Sequence, residues 1–185
     1  MRIGIQGIPG SFSEIAAKTY FHDGEFEWVY LETSFNVCDA LQNKAVDRGV
    51  IALENSIGGM VAETETALGE IPCSILDEVT IPIVQCLMVR KGVSLGSVKA
   101  VHSHKQALKQ SGYFLTENLP EAERVLEDDT ALCAKRLSEG ELPETAAVIG
   151  NAACADLYGL HILKKGVQST DDNNTRFLIV SFSRD

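Results

Sequence analysis

The sequence predicts an α/β protein of two lobes, and three observations predict it. Short apolar runs alternate with stretches whose apolar residues recur at helical spacing, along the whole chain. Such alternation implies parallel sheets covered by helices. Two segments, 72–80 before a long apolar run and 163–172 before the last one, read as crossings between lobes. The composition, 45% hydrophobic and 23% charged with mean hydropathy +0.03, is that of an ordinary globular protein. A chain that leaves one α/β lobe, builds a second and returns to the first leaves a cleft. Ligands of open α/β sheets bind beyond the carboxyl ends of strands, and clefts between lobes are favoured sites. The expected division is residues 1–78 plus 165–185 for lobe 1 and 79–164 for lobe 2, with the active site in the interlobe cleft.

Each element follows in order. Arg2 to Gln6 is a strand, and Phe12 to Phe21 a helix with Ser11 and Glu14 in capping-box spacing. Glu27 to Leu31 is a strand. Ser34 caps a helix with Phe35, Cys38, Leu41 and Ala45 on one stripe. Gly49 to Leu53 is a strand, and Val61 to Leu68 a helix stopped by Gly69. Val79 to Val89 is one long β-branched run. Val98 to His102 is a strand and Lys105 to Phe114 a helix. Arg124 to Leu126 is a short strand, and Thr130 to Ser138 a helix ended by Gly140. Ala146 to Ile149 is a strand, Asn151 caps a helix through Leu157, and His161 to Leu163 and Phe177 to Phe182 complete the strands.

The net charge is −10 and the pI about 4.8, which argues against a nucleic-acid partner and against an anionic membrane surface. No apolar run approaches the roughly 20 residues of a membrane span, and the N-terminus lacks the pattern of a signal peptide. The five cysteines, Cys38, Cys73, Cys86, Cys133 and Cys154, are odd in number, widely spaced and set among apolar neighbours. They read as buried reduced thiols of a cytoplasmic protein. The acidity is uneven. Residues 79–116 contain no Asp or Glu and carry Arg90, Lys91, Lys99, Lys105 and Lys109. That segment is either a solvated face or a source of positive potential that steers a small anion.

Five loops share a strand, a small polar turn and a helix start: residues 7–13, 54–59, 102–106, 128–131 and 150–153. Small residues let backbone approach a ligand, and helix starts favour anions, although the same residues are also ordinary caps. Arg176, in a polar loop before an apolar strand, is either a fork for a carboxylate or a partner of Asp171 or Asp172. His102 and His104 are expected on opposite faces of a strand, which would keep them from sharing a metal. The chain shows neither a P-loop lysine nor a G-x-S-x-G elbow.

Taken together the motifs resemble those of the prephenate dehydratase catalytic domain. They are Gly7-Ile8-Pro9-Gly10-Ser11-Phe12-Ser13 with Ala16-Ala17, Glu54-Asn55-Ser56-Ile57-Gly58-Gly59, Ser103-His104-Lys105-Gln106-Ala107-Leu108, Asp129-Thr130-Ala131, Tyr158-Gly159-Leu160 and Asn173-Asn174-Thr175-Arg176-Phe177. They run in order over essentially the whole chain. Lys105 stands where the family has proline, and Asp129 where it has serine.

The resemblance implies a fold like the type II periplasmic binding proteins and a decarboxylating dehydration of prephenate to phenylpyruvate, in phenylalanine biosynthesis. It implies no cofactor and no metal, a small-molecule substrate, and a homodimer or higher homo-oligomer. It implies Thr175 as the catalytic donor to the leaving hydroxyl. Arg176, Asn55, Ser56, Ser103, Gln106, Thr130, Ser11 and Asn174 would bind substrate. His104 is an alternative proton donor, Phe177 core or cleft wall, and Glu54, Gly58 and Ala131 further members of the site. Arogenate dehydratase and a non-catalytic binding module stay open as alternatives. The family's phenylalanine-binding C-terminal ACT domain is not expected within residues 1–185.

Overall fold

Ile3 and Ile5, fully buried, seat Arg2–Ile5 (β1) inside the first sheet, one strand in from its edge. The computed structural model describes residues 1–182; the last three residues of the expected first lobe, 183–185, lie outside the described residues. Phe12–Tyr20 (α1) leads to Glu27–Tyr30 (β2), and Ser34–Gln42 (α2) leads back past β1 to Arg48–Asn55 (β3). Both β2 and β3 pair with β1 in parallel. The two crossovers run in opposite directions, so right-handed connections put α1 and α2 on opposite faces. Gly59–Met60 (β4) folds back on β3, and Ala62–Glu70 (α3) leads to Cys73–Pro82 (β5).

The second sheet begins with Cys86–Val89 (β6) and Ala100–His104 (β7), followed by Lys105–Gln110 (α4) and Gly112–Asn118 (α5). Glu123–Glu127 (β8), Thr130–Glu139 (α6), Ala146–Gly150 (β9), Ala152–Tyr158 (α7) and His161–Lys165 (β10) complete it in the order β10-β6-β9-β7-β8. Its core includes Leu87, Val89, Val101, Leu108, Leu115, Ala147 and Ile149. Asn174–Phe182 (β11) then returns to the first sheet and enters between β3 and β5, antiparallel to both. Leu178 and Val180 of β11 pack with Val37, Cys38 and Leu41 of α2 and Ala67 of α3.

The chain thus forms two α/β units: Met1–Pro82 with the chain from Asn174 on, and Ile83–Asn173. The crossings fall at 82/83 and 173/174, later than the expected 78/79 and 164/165. The segment 72–80 is mostly β5, a strand of the first sheet. After β10, Val167 N donates to Gln85 O and Ser169 N to Gln110 O, which keeps the polar segment 166–173 with the second unit. The long run Val79 to Val89 is therefore two strands in different sheets, broken where Gln85 turns its backbone to Val167 and Gln168. Neither sheet is all parallel: β11 and β6 run antiparallel to both their neighbours.

Several ends also moved. Thr33, not Ser34, caps α2, because its extended backbone lets its hydroxyl accept from Asn36 N at 3.1 Å. Ala45 is exposed, and Val37 takes its place on the buried stripe. Gly69 lies inside α3 rather than after it. The expected helix 105–114 breaks at Ser111 into α4 and α5.

Candidate functional site

In the first unit the site is built around one amide. β3 runs on to Asn55, two residues past its expected end, and so places Asn55 directly opposite Thr175 of β11. Asn55 Nδ2 donates to Thr175 Oγ1 at 3.0 Å and to the Asn174 carbonyl at 3.0 Å. Its Oδ1 accepts from the backbone N–H of Ile57 and Gly58, at 3.1 and 2.8 Å, which shapes the tight turn into β4. Ser56 and Asn174 add a reciprocal pair: Ser56 N donates to Asn174 O at 2.9 Å, and Asn174 N to Ser56 Oγ at 3.0 Å. Thr175 is 7% exposed. Its hydroxyl accepts from Asn55, so its own proton can be donated elsewhere. A buried donor held by a fixed amide is a preorganised dipole.

Arg176 lies within β11, and carboxylates of the two neighbouring strands meet it. Nη2 lies 3.1 Å from Glu54 Oε2 and Nη1 3.5 Å from Glu78 Oε2. Glu78 was missed in the sequence because its strand read as a crossing. A cavity of about 280 Å³ is lined by Glu54, Ser56, Thr80, Asn174 and Arg176, and not by Thr175. Phe177, next along β11, is 2% exposed and belongs to the core.

Ser11 is likewise buried. It caps α1 by accepting from Glu14 N at 3.2 Å. The Glu14 carboxylate reaches back one residue further than a capping box requires, to Gly10 N at 2.6 Å, and also accepts from Tyr30 Oη at 2.8 Å. Burial pushes its carboxyl up, but bonds from Lys18, Gly10 and Tyr30 outweigh burial and hold it below the usual carboxylate range.

In the second unit the expected residues cluster where parallel strands β7, β8 and β9 end and helices begin. Ser103 is fully buried and donates its hydroxyl to Ile149 O at 2.7 Å, tying β7 to β9. Gln106 opens α4, and its Nε2 is buried without a hydrogen-bond partner. His104 is exposed and caps α4, Nδ1 accepting from Gln106 N at 3.3 Å. Thr130 and the buried Ala131 open α6. Gly150 ends β9 beside Thr130: a Cβ there would sit in ordinary contact, 3.6 Å from Thr130 O, and 3.3 Å from Met88 Cε.

One departure from the family finds its reason here, and one expectation changes. Asp129, the departure from serine, is the cap of α6 and accepts from Leu132 N at 2.7 Å. His102 and His104 sit two apart on one strand, so they leave the same face rather than opposite faces. They diverge in role instead: His102 Nδ1 meets Glu127 Oε1 at 2.9 Å, and Glu127 Oε2 meets Arg136 Nη1 at 2.7 Å. The His102 hydrogen bond is the largest of the causes that hold the Glu127 carboxyl below its usual range. Among the described residues no group of three or more His, Cys, Asp and Glu side chains could hold a metal, and no helix is long and apolar enough to cross a membrane.

Known proteins resemble the chain over nearly its full length. A family model described as prephenate dehydratase matches residues 3–184. Arogenate dehydratase 5, chloroplastic, of Arabidopsis thaliana is 36% identical over 182 residues, covering 98% of this chain and 42% of the relative. The chain spans less than half the length of the curated relatives it matches. The crystal structure of prephenate dehydratase in complex with L-Phe from Arthrobacter aurescens superimposes with a TM-score of 0.92 at 26% identity, over 100% of this chain and 61% of that one. A structure described as GqqA, a novel type of quorum quenching acylase, does so with a TM-score of 0.85 at 28% identity, over 100% and 65%.

Proposed function

The chain belongs to the prephenate dehydratase family, and from that premise we propose that it converts prephenate to phenylpyruvate, CO2 and water, as a step towards phenylalanine. Prephenate carries a ring carboxylate, a ring hydroxyl and a pyruvyl carboxylate. As the bond from the ring to its carboxylate breaks, the electron pair enters the ring and the bond to the hydroxyl breaks. One proton must be taken up for hydroxide to leave as water. Aromatisation drives the step, so the protein needs to align the two leaving groups and assist the hydroxyl.

The observation that carries the proposal is the Asn55–Thr175 hydrogen bond. It holds a buried hydroxyl in one orientation with its proton available for the leaving oxygen. Threonine is a weak acid, so Thr175 acts as a hydrogen-bond donor or as a relay of the proton, in the manner of a preorganised donor. Gln106, with a buried and unpartnered Nε2, and Thr130 are proposed donors to the substrate carboxylates. Ser103 is a weaker candidate, because its proton is given to Ile149 O. The same bond counts against an acylase reading, which needs an activated nucleophile: Ser103 stands between two histidines yet donates to a carbonyl.

The relative named arogenate dehydratase supports a second reading, in which the substrate carries an amino acid group instead of the pyruvyl group. Incubation with each substrate, followed by assay of phenylpyruvate and of phenylalanine, separates the two by kcat/KM. Folded protein that makes neither product would sink the dehydratase reading. Thr175→Val is expected to lower turnover by about 10²-fold or more with the fold intact; a variant at wild-type rate removes the role given to Thr175.

A further inference from the structure

We propose that Arg176 is a positioning residue that never touches the substrate: it ties β3, β11 and β5 together on the sheet face opposite Thr175, and so holds the Asn55–Thr175 hydrogen bond in place. The kinetic part of this proposal rests on the dehydratase reading.

Neighbouring residues of a strand point to opposite faces. Arg176 shares a face with Leu178 and Val180, which pack against α2 and α3. Thr175 shares the other face with Phe177. Adjacent in sequence, Thr175 and Arg176 therefore work on different sides of one sheet. On its own side Arg176 reaches one carboxylate on each neighbouring strand, Glu54 of β3 and Glu78 of β5. A planar fork can span two such partners, where a lysine offers a single point charge. One guanidinium between two carboxylates leaves the cluster net negative, a poor receiver for a third carboxylate on a dianionic substrate.

The pairing of β3 with β11 shows why a tie is needed there. Arg176 pairs with Glu54, but Phe177 pairs with Ala52, so Leu53 is an extra residue on β3. Such a bulge interrupts the ladder. Beyond it, the tip of β3 that carries Asn55 is fastened by side chains on both faces: Asn55 to Thr175 on one, Glu54 to Arg176 on the other. A displacement of about 1 Å in a catalytic group can cost about 10²-fold in rate. Loss of the tie should therefore appear in kcat, whereas loss of a carboxylate ligand would appear first in KM.

The test uses Arg176→Gln, Arg176→Lys and the double variant Glu54→Gln with Glu78→Gln, each checked for folding by circular dichroism. Ion pairs whose side chains stay about two-fifths exposed contribute little to overall stability, so the variants should fold. Two readouts are taken: kcat and KM on whichever substrate the wild type turns over, and hydrogen exchange at the Ile57 and Gly58 amides, which donate to Asn55 Oδ1. Arg176→Gln should lower kcat by about 10- to 100-fold and leave KM within about 3-fold. Arg176→Lys should recover part of the loss. The carboxylate double variant should match Arg176→Gln in kcat and add little when combined with it. Exchange at Ile57 and Gly58 should quicken in each variant. A KM raised about 10-fold or more with kcat kept would make Arg176 a ligand and overturn the proposal; so would kcat and exchange both at wild-type values. If the wild type turns over neither substrate, the dehydratase reading fails alone, and the exchange arm still decides: unchanged protection rejects the tie and faster exchange supports it.

Discussion

At the scale of single residues, polar side chains at helix starts serve two masters, the backbone and a ligand, and only geometry tells them apart. Asp129 serves the backbone: its carboxylate accepts from Leu132 N, a task serine performs equally well. Asp129→Ser should leave stability within a few tenths of a kcal/mol, while Asp129→Ala should cost about 1 kcal/mol by urea unfolding. An equal loss in both would show that the carboxylate does something beyond capping. Glu14 is a second case. Burial pushes its carboxyl up, but hydrogen bonds from Lys18, Gly10 and Tyr30 outweigh that and hold it below its ordinary value when folded. A depressed carboxyl contributes stability that is present above its unfolded pKa and lost as pH falls through its folded pKa. Glu14→Gln should therefore unfold more easily than wild type at neutral pH, and the gap should close as the solution is acidified below the carboxylate range. Unfolding midpoints across that range measure it, and a constant gap would count against the assignment. Of the site, Thr175 and Asn55 were legible as residue types. Their hydrogen bond was not, because it joins positions 120 residues apart.

At the scale of elements, periodicity located even the fully buried β9 to within a residue, yet it left β5, mostly exposed, looking like a crossing. Gly140 ends α6 in a left-handed conformation at φ 88°, as its place after an apolar stripe suggested, and Gly159 ends α7 in the same way at φ 65°. Gly69 has the same local look yet continues α3, because the chain turns only at Ile71. The Val79 to Val89 run carries no internal mark that its halves belong to different sheets; that was settled by which strands were available to pair. Gly49 of β3 shows the packing side of the same point. A Cβ there would lie 2.5 Å from Val37 Cγ1 of α2 and 2.9 Å from Val180 Cγ2 of β11. Backfilling a closed gap forces neighbours apart, so Gly49→Ala should destabilise by about 1–3 kcal/mol in chemical denaturation. A neutral result would mean that α2 can shift away from β3 at no cost.

At the scale of the whole molecule, the two units differ in charge and in connectivity. The first holds six basic and fourteen acidic residues, net −8, and the second ten and twelve, net −2. Most of the acidity thus belongs to one unit, and the acid-free segment 79–116 lies almost wholly in the other. One of its cations is committed to structure: Arg90 donates to Leu137 O and Leu142 O, at 2.7 and 3.0 Å. If the remaining lysines steer a small anion, kcat/KM should fall as ionic strength rises, and a flat profile would remove steering from the account. The second unit is one continuous stretch with its own core, so a fragment of residues 83–173 should show a cooperative thermal transition by circular dichroism. A fragment that melts without one would mean that its core depends on the rest of the chain. What the sequence determined alone was local: the alternation of strand and helix, most caps, and the ordered set of short polar motifs, all set by near neighbours and their periodicity. What only the tertiary structure decided was which strands pair, where the chain crosses between units, and that Thr175 and Arg176 face opposite sides of one sheet. Strand pairing joins residues far apart in the chain, and side-chain direction follows from that pairing, so neither is written in any local window of the sequence.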